Sequence, residues 1–212
     1  SLPIAGPSAN LSGKPSPTNA SHVIEDLDGK IDMIIDGGET GVGLESTVLD
    51  LSIGTPTILR PGGITYEDLK EIIPNVEQDL GTIKMSENIV PKSPGQKYKH
   101  YAPKADMTVY TGNIDNIVSK IKEQTKELIN KGYKVGIMAT EETKNDYPDG
   151  FVLVVGTREE KETIATNLFK IIRLFDDNGV DVILAEGVEY DHIGMAIMNR
   201  MMKASGGKVI NL

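Results

Sequence analysis

The second half of the sequence alternates short apolar segments with longer segments of helical periodicity. Its apolar segments cover residues 107–110, 135–138, 151–155 and 180–185. After the first of these, apolar residues recur every three or four positions, with Asn113 as a candidate N-cap and Gly132 at the end. Strands separated by helices favour parallel pairing, in which helices cover both faces of the sheet. Residues 106–212 are therefore predicted to form a small, Rossmann-like, mainly parallel α/β domain.

Two features near the end of this half predict structure rather than chemistry. A helix is predicted to open at Thr157, because Glu160 follows at the spacing of a capping box. The final helix carries four methionines at helical spacing, Met195, Met198, Met201 and Met202. Methionine adapts to irregular gaps, so we expect these side chains to fill the core or a contact between domains rather than bind a cofactor.

Residues 1–80 also alternate strands and helices, but every element is short. Strands are predicted at 31–35, 46–51 and 57–60. Helices are predicted to begin after Thr18 or Asn19 and after Thr65, where small polar residues can cap them. This pattern is typical of an α/β layer and predicts a partial, twisted, mixed sheet.

Residues 81–105 lack this periodicity and contain several prolines. A stretch of this length is long for a loop inside one domain, so it is predicted to be a linker. Its tyrosines, lysines and histidine are unlike a flexible spacer and suit a segment that lies across a ligand site; packing of the tyrosines on a domain surface is the alternative. The predicted organisation is a first domain at 1–80, the linker, and a second domain at 106–212.

Composition narrows the possible functions. The 212 residues carry a net charge of −9 and no cysteine. The acidic balance argues against a broad electrostatic grip on nucleic acid, and disulfides and thiolate metal sites are excluded. No apolar run approaches the roughly 20 residues that span a bilayer, so a cytoplasmic location without a membrane partner is expected.

The polar segment PSANLSGKPSPT at residues 7–18 is the strongest candidate for a binding site wall. It places short donors and acceptors between a glycine and three prolines, which pin the backbone. A surface loop with Thr18 as a helix cap is the alternative interpretation. Arg60 ends a predicted strand directly before Pro61-Gly62-Gly63, where glycine lets a ligand approach the backbone beside a planar cationic group.

Four segments in order, PSANLSGKPSPT, GLESTV, ILRPGG and SPGQKYKHYAP, resemble the threonylcarbamoyl-AMP synthase family in its two-domain form. The final helix at 194–204 is similar to the second domain of the same family. The resemblance covers essentially the whole chain. Members of the family begin with a further stretch that completes the catalytic domain, so the resemblance identifies this sequence as the C-terminal portion of such an enzyme.

The resemblance implies a nucleotidyltransferase that joins L-threonine, bicarbonate and ATP into threonylcarbamoyl-AMP and pyrophosphate, for modification of an adenosine next to the anticodon of tRNA. By motif position, Ser8 and Ser46 would hold threonine, and Asn10, Thr18 and Arg60 would hold ATP. One of the linker residues Tyr98, His100 and Tyr101 would fold over the nucleotide. Mg²⁺ would accompany ATP on its phosphates. The product would pass to the tRNA-modifying machinery, and neither a catalytic residue nor a metal ligand is assigned.

Each of these residues also has a structural alternative. Ser8 and Asn10 can satisfy turn amides, Ser46 can lie in a strand ladder, and Arg60 can pair with a carboxylate. Two other functions stay open: an RNA-binding module, which would bind weakly given the charge, and a regulatory or scaffold role for the second domain.

Overall fold

The computed structural model describes residues 3, 6–52, 54–79 and 100–212. We call the described residues up to 79 the N-terminal unit and residues 106–212 the C-terminal unit. Most of the predicted linker, including Tyr98, lies outside the described residues. Within the described ranges, no helix is both long and apolar enough to cross a membrane.

The N-terminal unit contains two short helices and a small mixed sheet. Its elements are α1 (Ala20–Leu27), β1 (Val48–Asp50), β2 (Thr57–Arg60), α2 (Tyr66–Ile72) and β3 (Glu77–Gln78). Strand β2 lies in the middle, antiparallel to β1 and parallel to β3. The mixed sheet predicted for this part of the chain is confirmed.

The C-terminal unit is built on a five-stranded parallel sheet. Its elements are β4 (Asp106–Thr111), α3 (Ile114–Asn130), β5 (Val135–Ala139), β6 (Phe151–Val154), α4 (Lys161–Asp177), β7 (Val182–Glu186), α5 (Ile193–Ala204) and β8 (Val209–Asn211). The strand order is β6-β5-β7-β4-β8, and every neighbouring pair is parallel. The predicted mainly parallel α/β domain is therefore confirmed.

Helices cover both faces of this sheet. Helix α3 packs Ile117 and Ile121 against one face, in a cluster that includes Ile137 of β5. Helices α4 and α5 cover the other face, where Phe169 and Met198 are fully buried. Met201 is buried in the same cluster and Met202 is almost fully buried. The prediction that the methionines fill core space is therefore confirmed for Met198, Met201 and Met202, while Met195 is only partly buried.

Three of the four predicted helix starts are correct in detail, and one of them is Asn113, which caps α3 by accepting from the Asp115 and Asn116 N–H groups. Asn19 caps α1 by accepting from the His22 N–H, and Thr65 forms a full capping box with Asp68. Thr157 instead accepts from the Glu160 N–H at 3.0 Å and closes a turn ahead of α4. Helix α4 therefore begins later than the capping-box spacing predicts.

The strand predicted at residues 31–35 is wrong. These residues form no strand and pair with no other strand of the described chain. Met33 and Ile35 are 75% and 85% exposed. An apolar pattern becomes a strand only when a neighbouring strand takes its backbone hydrogen bonds, and none of the described strands does so here.

The two units pack directly against each other through α4. The backbone at Gly43 lies so close to this helix that a Cβ atom at Gly43 would come within 2.4 Å of Thr166 Cα. Gly43 also has a φ of +75°, which L-residues with side chains rarely adopt. Nearby, Thr166 Oγ1 donates to the Gly41 carbonyl at 3.1 Å, and Lys170 pairs with Glu39 at 3.1 Å.

We expect Gly43→Ala to lower the free energy of unfolding by about 1–3 kcal/mol, because the new methyl group must displace helix backbone in a packed contact. The matched control is Gly41→Ala, since nothing lies within 4 Å of a Cβ there. That control should change stability by less than about 0.5 kcal/mol. Urea unfolding followed by circular dichroism measures both, and equal stability of the two variants would contradict the packing described for Gly43.

Candidate active site

The first part of the loop of residues 7–18 is held by hydrogen bonds within the loop. Ser8 Oγ donates to Asn10 Oδ1 at 2.6 Å. Asn10 Nδ2 donates to the carbonyls of Leu11 and Lys14 at 2.9 and 3.3 Å. Asn10 therefore bonds carbonyls of the turn and Ser8 bonds the Asn10 side chain, whereas the structural alternative was a bond to turn amides. The ligand roles suggested by the resemblance stay predictions.

Thr18 ends this loop in a buried position. Its N–H donates to His22 Nδ1 at 3.1 Å, and its carbonyl accepts from the Thr40 N–H at 2.9 Å. The side chain that caps α1 is that of Asn19, so Thr18 is not the cap. Thr18 instead connects the loop to helix α1 and to residue 40.

An open cleft of about 310 Å³ lies between the loop and residues 40–45. Its lining includes Ser8, Ser16, Thr40 and Glu45. Of the predicted site residues, Ser8 lines this cleft. A second open cleft of about 340 Å³ adjoins it and shares Thr40.

Glu45 follows the segment with Gly41 and Gly43 and connects the loop of residues 7–18 to the C-terminal unit. Its carboxylate accepts from Ser16 Oγ at 2.5 Å and from Arg200 Nε at 2.8 Å. Burial alone would raise the pKa of Glu45, but the Arg200 guanidinium and the Ser16 hydroxyl outweigh it and lower that pKa. Glu45 is therefore a partly buried carboxylate whose charged form is favoured beside the cleft.

Ser46 and Arg60 are brought together by the pairing of β1 with β2. Arg60 Nε and Nη2 donate to the Ser46 carbonyl at 3.1 and 2.9 Å, and no carboxylate of the described ranges pairs with Arg60. The Ser46 side chain is exposed. Gly62 lies against the same backbone, where a Cβ would come within 2.3 Å of the Thr47 nitrogen. The wall formed by residues 45–47 and 60–62 is thus too close-packed for a side chain at Gly62.

His100 and Tyr101, at the end of the predicted linker, lie against this wall. Their rings meet edge to face with centroids 4.2 Å apart. Tyr101 is 2% exposed and lies 5.0 Å from the Phe169 ring and 5.8 Å from the Arg200 guanidinium carbon. Burial raises the pKa of Tyr101 to about 12.

His100 is half-buried and differs from its neighbour. Its Nδ1 is buried and makes no hydrogen bond to any described residue. Burial lowers the pKa of His100, so the ring favours its neutral form. A neutral imidazole with an unused nitrogen can still donate to or accept from a ligand.

Positive charge is concentrated behind the wall. Arg200 is fully buried, Lys203 is 4% exposed and Arg60 is half-buried. Burial, together with Arg200 and Arg60, lowers the pKa of Lys203 to about 8, and Glu45 opposes this shift. Among the described residues, these three cations lie around the Glu45 carboxylate, and such a concentration of positive charge suits an anionic ligand.

Several of these residues were missed by sequence reasoning. Ser16 and Glu45 lie inside the quoted motifs but received no role, and the completely buried Asp26 lies outside those motifs. Arg173 and Arg200 each interrupt the apolar face of a helix. A cation at a core position of an amphipathic helix was the signal that could have found them.

The lowered pKa of Lys203 predicts a pH dependence of stability. Lysine ordinarily has a pKa of 10.5, so the folded chain binds fewer protons here than the unfolded chain between about pH 8 and 10.5, and stability should rise with pH across that window. The raised pKa of Tyr101 reverses the trend above about pH 10. Chemical unfolding at about pH 7.5 and about pH 9.5 should show this rise for the wild type.

Lys203→Met should reduce the rise, because it removes the ammonium group whose burial is unfavourable. Lys208→Met is the control, since it removes an exposed ammonium of the same unit. The prediction fails if Lys203→Met keeps the full wild-type rise.

Comparison with known proteins places the chain in one family. A family model described as the threonylcarbamoyl-AMP synthase C-terminal domain matches residues 64–206, and one described as telomere recombination matches residues 1–62. The chain is 48% identical to threonylcarbamoyl-AMP synthase of Bacillus subtilis, over 99% of this chain and 59% of that protein. It is 47% identical to the enzyme of the same name from Pyrococcus abyssi, over 99% of this chain and 60% of that protein.

The fold matches as well. The crystal structure of P. abyssi Sua5 complexed with L-threonine superposes with a TM-score of 0.89 at 46% identity, covering 97% of this chain and 58% of that one. The chain thus spans about 60% of the length of the relatives named above. With a family model matched over most of its residues and a fold shared along nearly all of its length, the chain belongs to the threonylcarbamoyl-AMP synthase family.

Proposed function

We propose that this chain forms part of a nucleotidyltransferase that condenses L-threonine, bicarbonate and ATP into threonylcarbamoyl-AMP and pyrophosphate. The observation that carries the proposal is the ion pair between Arg200 and Glu45. The polar loop contacts this pair through Ser16, and the linker contacts it through Tyr101. Arg60 and Ser46 of the wall bond each other beside it. The names of the relatives and the L-threonine bound to P. abyssi Sua5 support the same substrate here.

The chemistry requires positioning and charge stabilisation. The threonine amine attacks the bicarbonate carbon, water leaves, and a carbamate forms. A carbamate oxygen then attacks the α-phosphorus of ATP, and the bond to the β-phosphate breaks as pyrophosphate leaves. Preorganised cations stabilise the negative charge on the phosphate oxygens best where water is excluded. Arg60, Arg200 and Lys203 supply buried or half-buried positive charge beside the proposed site.

The proposed binding roles follow the sequence motifs. Ser8 and Ser46 hold L-threonine, and Asn10, Thr18 and Arg60 hold ATP. Among the described linker aromatics, His100 has the more accessible ring, because Tyr101 is almost completely buried. We therefore favour His100 as the residue that contacts the nucleotide, with Tyr101 anchoring it to the core.

Mg²⁺ is proposed to enter with ATP and to neutralise phosphate charge when bound. The described residues contain no group of three or more His, Cys, Asp or Glu side chains that could hold a metal. Protein sites for ATP-bound Mg²⁺ commonly supply few ligands of their own, because substrate phosphates and water provide the rest. We infer that the ATP phosphates are its main ligands here.

The product is proposed to pass to the machinery that modifies an adenosine next to the anticodon of tRNA. Binding of RNA by this chain itself is disfavoured by its net charge of −9, because nonspecific contact with phosphates needs a basic face.

Calorimetric titration of ATP with Mg²⁺ into the chain tests the proposal. We expect saturating L-threonine to tighten ATP binding. Arg60→Lys should weaken ATP binding by about 10- to 100-fold, because lysine keeps the charge but loses the planar guanidinium and its several directed N–H donors.

The control is Arg158→Lys, which alters an arginine that bonds Glu186 and the Gly187 carbonyl within the C-terminal unit. It should leave ATP affinity within about twofold of the wild type, as expected for a site outside the contact network. A folded wild type that binds neither ATP nor threonine, or equal losses in both variants, would count against the proposal.

A further inference from the structure

Arg173 of helix α4 reaches out of the C-terminal unit into the N-terminal unit. Its Nη2 donates to Asp26 Oδ2 at 2.9 Å and to the Pro15 carbonyl at 2.6 Å. Its Nη1 donates to Asp26 Oδ1 at 3.3 Å and to Glu25 Oε2 at 3.2 Å. Two parallel bonds between a guanidinium and a carboxylate fix the orientation as well as the distance of the partners.

Asp26 passes this contact on to the polar loop. The buried carboxylate also accepts from the Leu11 N–H at 3.2 Å and from Lys14 Nζ at 2.7 Å. Burial alone would raise the pKa of Asp26, but Arg173 and Lys14 outweigh it and hold that pKa well below its usual range. The loop that carries Asn10 is therefore fastened at Leu11, Lys14 and Pro15 to a carboxylate and an arginine behind it.

Arg200 of helix α5 makes the equivalent contact with the opposite wall. Its Nε donates to the Glu45 carboxylate at 2.8 Å, its Nη2 to the Glu45 carbonyl at 3.2 Å and its Nη1 to the Pro61 carbonyl at 2.8 Å. Glu45 directly precedes Ser46 in the chain, and Pro61 directly follows Arg60. One fully buried guanidinium thus holds the two backbone segments that form the wall at a fixed separation.

We propose that Arg173 and Arg200 are positioning residues, through which the C-terminal unit holds the two walls of the proposed active site in their binding geometry. The identity of the ligands that the walls bind rests on the proposed function. The claim that the two arginines hold the walls in place rests only on the contacts described above. It gives the C-terminal unit a defined role in the reaction, exerted from behind the walls and without contact with substrate.

Stability alone does not explain the choice of arginine. Buried ion pairs add little net stability over apolar side chains of similar volume, and replacing a matched pair is often neutral. Arg173 bonds the Pro15 carbonyl, and Arg200 bonds the Pro61 carbonyl. Asp26, the partner of Arg173, also accepts from the Leu11 N–H. The two arginines therefore determine where these backbone atoms lie. An apolar contact between the units would leave those loop atoms without a defined partner.

Hydrogen exchange of the loop amides tests the holding role independently of catalysis. In Arg173→Met combined with Asp26→Leu, the core contact is replaced by apolar side chains, and we expect amides in residues 9–16 to exchange about tenfold faster or more. Peptides covering β5 should keep wild-type exchange. The control is Lys170→Met, one turn earlier on α4, which removes an exposed pair with Glu39 and should change neither.

Ligand affinity provides the functional arm. We expect the double variant to bind L-threonine or ATP about tenfold more weakly or worse, although its unfolding midpoint stays near that of the wild type. Arg200→Lys should likewise weaken binding, because one ammonium cannot replace three directed N–H donors. Arg173→Lys, which keeps the buried charge, should recover part of the loop protection.

The outcomes are distinguishable. Unchanged exchange of residues 9–16 in the double variant overturns the inference, and so does unchanged affinity in both the double variant and Arg200→Lys. A wild type that binds no ligand counts against the proposed function, while the exchange result still decides whether the arginines hold the loop. If the double variant does not fold, Arg173→Lys provides the test instead. Amide protection of residues 9–16 equal to that of the wild type in Arg173→Lys would overturn the inference.

Discussion

Buried charge at the junction of the two units is the constraint on which the arrangement of the site depends. A buried guanidinium is costly unless carboxylates and carbonyls accept from most of its donors. Arg173 bonds Asp26 and the Pro15 carbonyl through Nη1 and Nη2, while its Nε has no partner among the described residues, and Arg200 bonds Glu45 and the Pro61 carbonyl. Because all of these acceptors belong to the N-terminal unit, satisfying the two arginines also fixes the loop and the wall relative to helices α4 and α5.

The C-terminal unit treats its own buried charge differently. Glu186, at the end of β7, accepts from Thr140, Thr143, Tyr147 and Arg158, which all belong to the same unit. The hydrogen bonds of the Glu186 carboxylate thus stabilise the C-terminal unit itself. At the wall, by contrast, the described cations Arg60, Arg200 and Lys203 lie around the Glu45 carboxylate, so positive charge lies where the proposed anionic substrate would bind. The unit therefore contributes charge and geometry to the site, in agreement with the role proposed for its arginines.

The candidate site shows which contacts can be predicted from residues that are close together in the sequence. The motif with Arg60 before Pro61-Gly62-Gly63 indicated a close-packed backbone beside a cation, and Arg60 does lie against Ser46 with Gly62 in tight contact. The same approach did not find Arg173 or Arg200, because their partners are more than 130 residues away in sequence. It also predicted a strand at residues 31–35, where the apolar pattern was right for a strand but no described neighbour pairs with it.

The sequence by itself determined the two sheets, most helix boundaries, the burial of the methionines and the family resemblance, because these depend on periodicity, caps and motifs that lie close together in the chain. Only the tertiary structure decided which polar residues share a site. It selected Asn19 over Thr18 as the cap, directed Arg60 to a carbonyl, and placed the buried Asp26 and the partly buried Glu45 beside distant arginines. Those choices depend on the packing of α4 and α5 against the N-terminal unit, and local sequence carries no information about which distant donor will meet a given acceptor.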